Sequence, residues 1–417
     1  MNRTAVERWA GTVARLILAA VFFYAALSKL GDPRTFLRAV RAYQATPEWL
    51  SQAIAYGLPV LELCLAVVLL FGVATRVAAL VSALLLVVFL VGIVQAWGRG
   101  LKLECGCFGG GGVTAHPNYW IDVVRDVLLL LVAAVLIWRP LSNYSVDDYL
   151  TYRHEVAPPS AKAVRRDPKA IARYQAKRAA RERENRGRLR YVAGATAGIV
   201  VLICLIGVSV QSSRARITGT LTATNATVAN GVVVGKATAP VTLDTYEDFQ
   251  CPNCEIYEAS AAASLAKLVT AGKIKIRYHT MAFLDSSSSG NKYSTRAANA
   301  ALCASDVSVA DFAAYHKVLF GKDSSGAKVQ PDEGSDGRTD GELEAYFKQA
   351  VPKATTDQTT TFATCVTDQD HAAMVAAITD AASKKNVNGT PTVFVDGKQV
   401  TATSAAVLAA ITKASAG

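Results

Sequence analysis

Glu247-Asp248-Phe249-Gln250-Cys251-Pro252-Asn253-Cys254 decides how this chain is read. An apolar, alternating run (239–246) leads into it, and an Ala-rich helical pattern (about 255–269) leads out. That context predicts a strand, a sharp turn and a helix whose first turn holds two cysteines three residues apart. Cys251 then sits where unpaired backbone N–H groups and the positive end of the helix dipole favour a thiolate. A thiolate attacks disulfides, and Cys254 is close enough to resolve the mixed disulfide. Pro252 suits the first helical turn, where its missing N–H has no partner to lose.

One Cys-x-x-Cys can also be half of a zinc site, but zinc needs four ligands. Neither Cys303 nor His279 has metal-ligand spacing, so the pair reads as redox and no metal is expected. Further on comes Gly389-Thr390-Pro391-Thr392-Val393-Phe394-Val395-Asp396-Gly397-Lys398. Pro at the start of an apolar run and Asp-Gly after it predict an edge-type strand entering a hairpin turn.

With both motifs in view, residues 236–417 resemble a DsbA-like thioredoxin-fold thiol oxidoreductase. The shared signatures are Asp-Phe-Gln-Cys-Pro-x-Cys and the later Gly-Thr-Pro-Thr-x-x-Val-x-Gly. The resemblance implies an α/β domain with a helical insertion between the motifs, and a cis Thr390–Pro391 bond facing the cysteines. It also shows a departure. Relatives carry a buried Glu six residues before the first Cys, and Thr245 stands there, leaving Asp244 and Glu247 as neighbouring candidates for the proton acceptor.

The chain has 417 residues, room for two or three domains, with 51% hydrophobic residues and a net charge of +11. Residues 139–190 hold fourteen Lys/Arg against six Asp/Glu, so much of the excess sits in one segment. Charge so confined marks topology or a solvated helix, with anionic lipid or a partner as the other reading, and gives no support for nucleic-acid binding. Eight cysteines are too few for a disulfide scaffold, and their use suits an oxidising compartment.

Apolar runs at 13–27, 56–71, 77–97 and 120–138 approach the roughly 20 residues of a membrane-crossing helix. The expectation is an all-α four-helix transmembrane bundle over 13–138 after a short cytoplasmic segment, 1–12, with no removable signal peptide. A basic cytoplasmic linker (139–190), a fifth span (191–210) and a flexible external linker (211–235) follow. The thioredoxin-like domain then lies outside the plasma membrane, and so does the loop after the third span.

That loop reads Leu103-Glu104-Cys105-Gly106-Cys107-Phe108-Gly109. Two cysteines around one glycine can close a small, strained and readily exchanged disulfide ring. Two cysteines with His116 still fall short of a metal set. Residues 13–138 resemble the MauE/DoxX class of four-helix membrane proteins. The match rests on Cys-Gly-Cys-Phe-Gly, Ala26-Leu27-Ser28-Lys29-Leu30 and Pro59-x-x-Glu62. The resemblance implies disulfide formation in partners outside the cytoplasm.

Glu62 inside a span is a functional candidate or the partner of Lys29 or Arg125. Cys64 and Cys204 read as small buried hydrophobes. Cys303 and Cys365, left over in an external domain, are expected to form a structural disulfide. His279 and His316 read as surface or packing residues, and His371 shows no partner.

The sequence therefore predicts a membrane-tethered disulfide oxidoreductase acting on exported, cysteine-bearing client proteins. Cys105 and Cys107 regenerate Cys251 and Cys254 within the chain, and analogy with other four-helix thiol oxidases offers a quinone as final acceptor. An outward-directed reductase or isomerase, and a non-enzymatic chaperone or assembly factor, are the alternatives.

Overall fold

The structure is a computed structural model and describes residues 3–101, 103–104, 112–113, 118–138, 142–151 and 170–415. The chain divides into two compact units, Met1–Ala215 and Arg216–Gly417.

The first unit is helical. Its elements are α1 (Arg3–Gly31), α2 (Pro33–Ala42), α3 (Glu48–Phe71), α4 (Thr75–Gly98), α5 (Tyr119–Trp138), α6 (Val146–Thr151) and α7 (Ala170–Ala215). A short hairpin, β1 (Leu103–Glu104) with β2 (Gly112–Val113), separates α4 from α5. Glu7–Gly31, Glu48–Phe71, Thr75–Gly98 and Gly194–Ala215 are long and apolar enough to cross a membrane. The expected fourth span, α5, is as apolar as α3 but carries Asp122, Arg125 and Asp126 near its start, and it packs on α4 and α1. A small-residue and aliphatic core, including Leu18, Phe22, Leu69, Ala79, Ala133 and Leu136, joins α1, α3, α4 and α5.

Polar groups fasten the helix ends. The buried Arg15 donates to the carbonyls of Leu69 and Leu70 at 3.0 and 2.7 Å, satisfying the last turn of α3. Asp147 accepts from the amides of Ala74 and Thr75 at 2.9 and 2.7 Å, capping α4. The basic stretch and fifth span, expected as two elements, are one 46-residue helix from Ala170. Gly187 costs helix propensity, but the Ala, Arg and Glu around it are strong helix formers and the helix continues through it.

The second unit is a seven-stranded mixed sheet in the order β3-β4-β5-β7-β6-β8-β9. Its strands are β3 (Thr222–Ala223), β4 (Ala226–Thr227), β5 (Gly231–Val234), β6 (Val241–Glu247), β7 (Ile274–Thr280), β8 (Thr392–Val395) and β9 (Lys398–Val400). β6 and β7 are parallel and joined by α8 (Pro252–Thr270); β5, β8 and β9 pair antiparallel. Alternate residues of β6 and β7 (Val241, Leu243, Ile274, Ile276) pack with Tyr257 and Leu265 of α8 and with α14 (Ser404–Ser415). The opposite face carries the insertion: α9 (Tyr293–Val307), α10 (Val309–Leu319), α11 (Asp340–Ala350), α12 (Thr356–Asp368) and α13 (Ala372–Lys384).

Two expectations need correction. The flexible linker over 211–235 is instead the end of α7 followed by β3, β4 and β5. β3 and β4 are too short to show a period, β5 is a brief run of three valines after Gly231, and pairing along the sheet forms them. The strand after Pro391 is not at an edge, because β8 lies between β6 and β9. Pro391 precedes the first paired residue, so no ladder N–H is lost. The Asp-Gly hairpin does form, with φ of 46° at Asp396 and 76° at Gly397.

Candidate active site

Cys251 is the N-cap of α8, with Pro252 at the first helical position. The turn that presents it is held from beneath by Asp248. This buried carboxylate accepts from the Gln250 amide (2.9 Å), the Leu284 amide (2.9 Å) and the Ser294 hydroxyl (2.7 Å). Burial nevertheless raises the Asp248 carboxyl to about 6 against those hydrogen bonds. The Gln330 side-chain amide donates to the Cys251 carbonyl at 2.8 Å, and Phe249 packs on Phe320 with ring centroids 4.9 Å apart. Asp-Phe-Gln before the cysteine is thus the frame that fixes its sulfur.

The cis Thr390–Pro391 bond lies opposite, and the Cys251 thiol donates to the Thr390 carbonyl at 3.2 Å. The two sulfurs differ sharply. Cys251 is lowered from the ordinary thiol value, chiefly because the Cys254 thiol donates to it. Hydrogen bonding at Thr390 and from the Cys254 amide adds to this, against the cost of burial. Cys254 is wholly buried and raised well above that value, first by burial and then by its contact with Cys251. The helix terminus therefore holds one nucleophile and one protonated partner.

Below Cys254 lies a cluster that spans three elements. Glu247 ends β6, Glu258 follows Cys254 by four residues on α8, and His316 comes from α10; all are buried. His316 Nε2 is 3.0 Å from Glu247 Oε2, and the two carboxyls face each other within hydrogen-bonding reach. Two carboxylate acceptors attract only with a proton between them. Burial raises Glu247 to about 8 and Glu258 well above the carboxylate range, while it lowers His316. The three ligand atoms lie within 4.8 Å of one another, so the same donor set could hold a cation. With both acids pushed towards their neutral forms, the arrangement suits a shared proton better.

Of the sequence candidates, Cys251, Cys254, Thr390 and Pro391 meet at one place. Cys303 and Cys365 form a disulfide between α9 and α12, with Cα atoms 5.9 Å apart. Cys105, Cys107 and His116 lie outside the described residues. Glu62 takes Lys29 as its partner at 2.5 Å, whereas Arg125 pairs with Asp122 and Asp126. Cys64 and Cys204, read as separate packing residues, are neighbours across α3 and α7, where Gly207 lets the helices close on Val60.

His279 and His316 are packing residues, stacked on Tyr246 and among Phe249, Tyr278 and Phe320, but each also meets an acid, and His371 does have a partner. His316 belongs to the acid cluster, His279 is buried 3.0 Å from Asp244, and His371 lies 2.6 Å from Asp306. Asp244 is engaged with His279 and Arg277, which leaves Glu247 as the acid beside the cysteines. Thr245, Tyr246 and Glu247 close β6 and are all buried, and the sequence alternation alone does not show that.

Fold and site define a thioredoxin-type thiol–disulfide oxidoreductase domain joined to a helical membrane-type domain. Residues 7–139 match the family "Methylamine utilisation protein MauE" and residues 227–413 match the family "Thioredoxin". MauE of Methylorubrum extorquens is 35% identical over 128 residues, which cover 30% of this chain and 68% of that protein. Through this first part the chain belongs to the MauE family. The serine/threonine-protein kinase PknE of Mycobacterium tuberculosis is 36% identical over 124 residues, 29% of this chain and 21% of the kinase. The chain thus spans about a fifth of the length of the first curated relatives it matches. Among solved structures, the reduced disulfide oxidoreductase DsbG of M. tuberculosis is 30% identical, covering 45% of this chain and 88% of its own, with a TM-score of 0.39.

Proposed function

We propose that the protein is a membrane-anchored oxidase that introduces disulfides into exported proteins, with its thioredoxin unit outside the plasma membrane. In this reading the chain crosses five times from a cytoplasmic N-terminus, the basic segment stays in the cytoplasm, and α7 carries the fifth span. The observation that carries the chemistry is the asymmetry at α8. Cys251 is favoured as a thiolate by hydrogen bonds from Cys254 and from the Thr390 side chain, while Cys254 is buried over a proton store.

A client thiolate attacks Cys251 of the oxidised pair and the Cys251–Cys254 bond breaks. Cys254 leaves as a thiolate and takes a proton from the Glu247–Glu258 cluster. A second client thiolate then attacks the client sulfur, releasing the client disulfide and the Cys251 thiolate. In the return half, Cys251 attacks a Cys105–Cys107 disulfide, Cys254 gives its proton back to the cluster and displaces the loop, and the two loop sulfurs leave as thiolates that take two protons from water. Electrons balance in each half, and those two protons match the pair that the client thiols released to water.

Thiol trapping of Cys251 and Cys254 in membranes, with and without Cys105→Ser, tests the scheme. A pair that is oxidised in the parent and accumulates reduced in the variant supports it. A pair that is reduced in the parent and becomes oxidised in the variant replaces it with an outward-directed reductase. An unchanged pair removes the relay.

A further inference from the structure

The disulfide of the helical insertion has a histidine beside it. Cys303 on α9, Cys365 on α12 and His371, just before α13, are 1%, 6% and 5% exposed. Their ligand atoms lie within 4.8 Å of one another. His371 Nε2 stands 2.6 Å from Asp306 Oδ2, and the Thr224 amide holds the other oxygen of that carboxylate at 2.6 Å. The His371 main-chain amide donates to Asn299 Oδ1 at 2.8 Å. The Asn299 side-chain amide reaches the Cys365 carbonyl at 3.3 Å and the Cys303 sulfur at 3.7 Å.

A carboxylate at Nε2 keeps the ring proton on that nitrogen, so the lone pair of the neutral ring sits on Nδ1. Nδ1 is buried and has no hydrogen-bond partner among the described residues. Carboxylate, imidazole and a free ring nitrogen are the arrangement that orients metal-binding histidines.

We propose that Cys303, Cys365 and His371 form a redox-gated site for copper(I), with Asp306 orienting the imidazole. A disulfide sulfur is a poor ligand, so the oxidised bond keeps the site closed. A dithiol reductant opens it. One of its thiolates attacks a sulfur of the bond, its second sulfur displaces the mixed disulfide, and it leaves as a disulfide. Cys303 and Cys365 gain two electrons and two protons. The cation then displaces both protons to water and forms two bonds to sulfur and one to nitrogen. Zinc needs four ligands, whereas copper(I) is satisfied by three, and thiolate and imidazole donors suit it. A trigonal ion with bonds of roughly 2.3 Å sets its ligand atoms about 4 Å apart, inside the span these atoms occupy. Two thiolates and one cation leave a single negative charge, which the Asn299 amide already faces. The ion replaces the lost bond as the tie between α9 and α12. This site stands apart from the oxidase reading and survives its failure.

The test uses the full chain in detergent with Cys303 and Cys365 as its only cysteines, the other six of the eight being replaced by serine or alanine. Copper(I) is supplied without oxygen and competed against a chromophoric copper(I) chelator. The reduced chain is expected to take one ion at least a hundredfold more tightly than the oxidised chain, and equal binding overturns the gate. Asp306→Asn and His371→Ala should each weaken binding tenfold or more. An unchanged affinity in His371→Ala leaves a bare dithiol and overturns the three-ligand site. X-ray absorption on the protein with His371 intact reads the ligands independently of how the variants fold. Two sulfurs and one nitrogen support the site, and sulfur alone overturns it. Copper(I) should also raise the unfolding temperature of the reduced chain, and an unmoved temperature overturns binding to the folded domain. Displacement of copper(I) by an equal concentration of zinc overturns the choice of ion.

Discussion

Each unit buries a carboxyl, and the two compensate it differently. In the helical unit Glu62 meets the Lys29 ammonium at 2.5 Å, with both side chains sealed from solvent. In the thioredoxin unit Glu247 meets a second acid and a histidine, and no cation is supplied. The first arrangement matches a carboxylate with an ammonium across two helices. The second keeps a mobile proton beside a sulfur that must gain and lose one. A buried acid is therefore diagnostic only through its partner: a cation points to architecture or ligand binding, another acid to proton transfer.

The sharpest break is at the nucleophile. Cys251→Ser leaves the proton store nothing to serve and should slow peptide oxidation by roughly a thousandfold or more, read by product chromatography. Next is Lys29→Met, which strands Glu62 and should cost about 3–5 kcal/mol in thermal or denaturant unfolding of the solubilised chain. Adding Glu62→Gln should recover most of that loss, and an additive double variant breaks the ion-pair half of the comparison.

Glu247→Gln removes the proton acceptor and should slow exchange about a hundredfold at neutral pH, measured by stopped-flow. It also has a stability signature. Because the folded Glu247 is raised to about 8, its contribution is fully present below the ordinary carboxylate range and is lost as pH rises through about 8. The glutamine variant should lose this alkaline decline, and an unaltered pH profile would mean that the proton resides elsewhere. The mildest effect is in alkylation. Cys251 should react with iodoacetamide with a midpoint below that of a free thiol, while Cys254 stays inert until the domain is unfolded.

What could be read from sequence was local. Strand, Cys-Pro-Asn-Cys and helix are contiguous, so spacing alone placed Cys251 at a helix terminus. Counting leftover cysteines was enough to pair Cys303 with Cys365, across a separation of 62 residues. His316 was illegible because 58 residues separate it from Glu258, and only the packing of α10 against the sheet brings them together. Cys64 and Cys204 were illegible for the same reason, with α7 returning to α3 after a long segment. The strands β3 and β4, two residues each, have no pattern of their own and exist only as partners.

Thr390 meets Cys251 in two ways: its main-chain oxygen accepts from the thiol, and its side chain hydrogen-bonds the sulfur and lowers the thiol. Every amino acid brings that oxygen, so the contact survives any substitution at 390 that preserves the local backbone path. The side chain, by contrast, acts on the acidity of the sulfur itself. Variation at this position would therefore retune the acidity of Cys251 without erasing its main-chain neighbour, which makes residue 390 a natural handle on the reactivity of the pair.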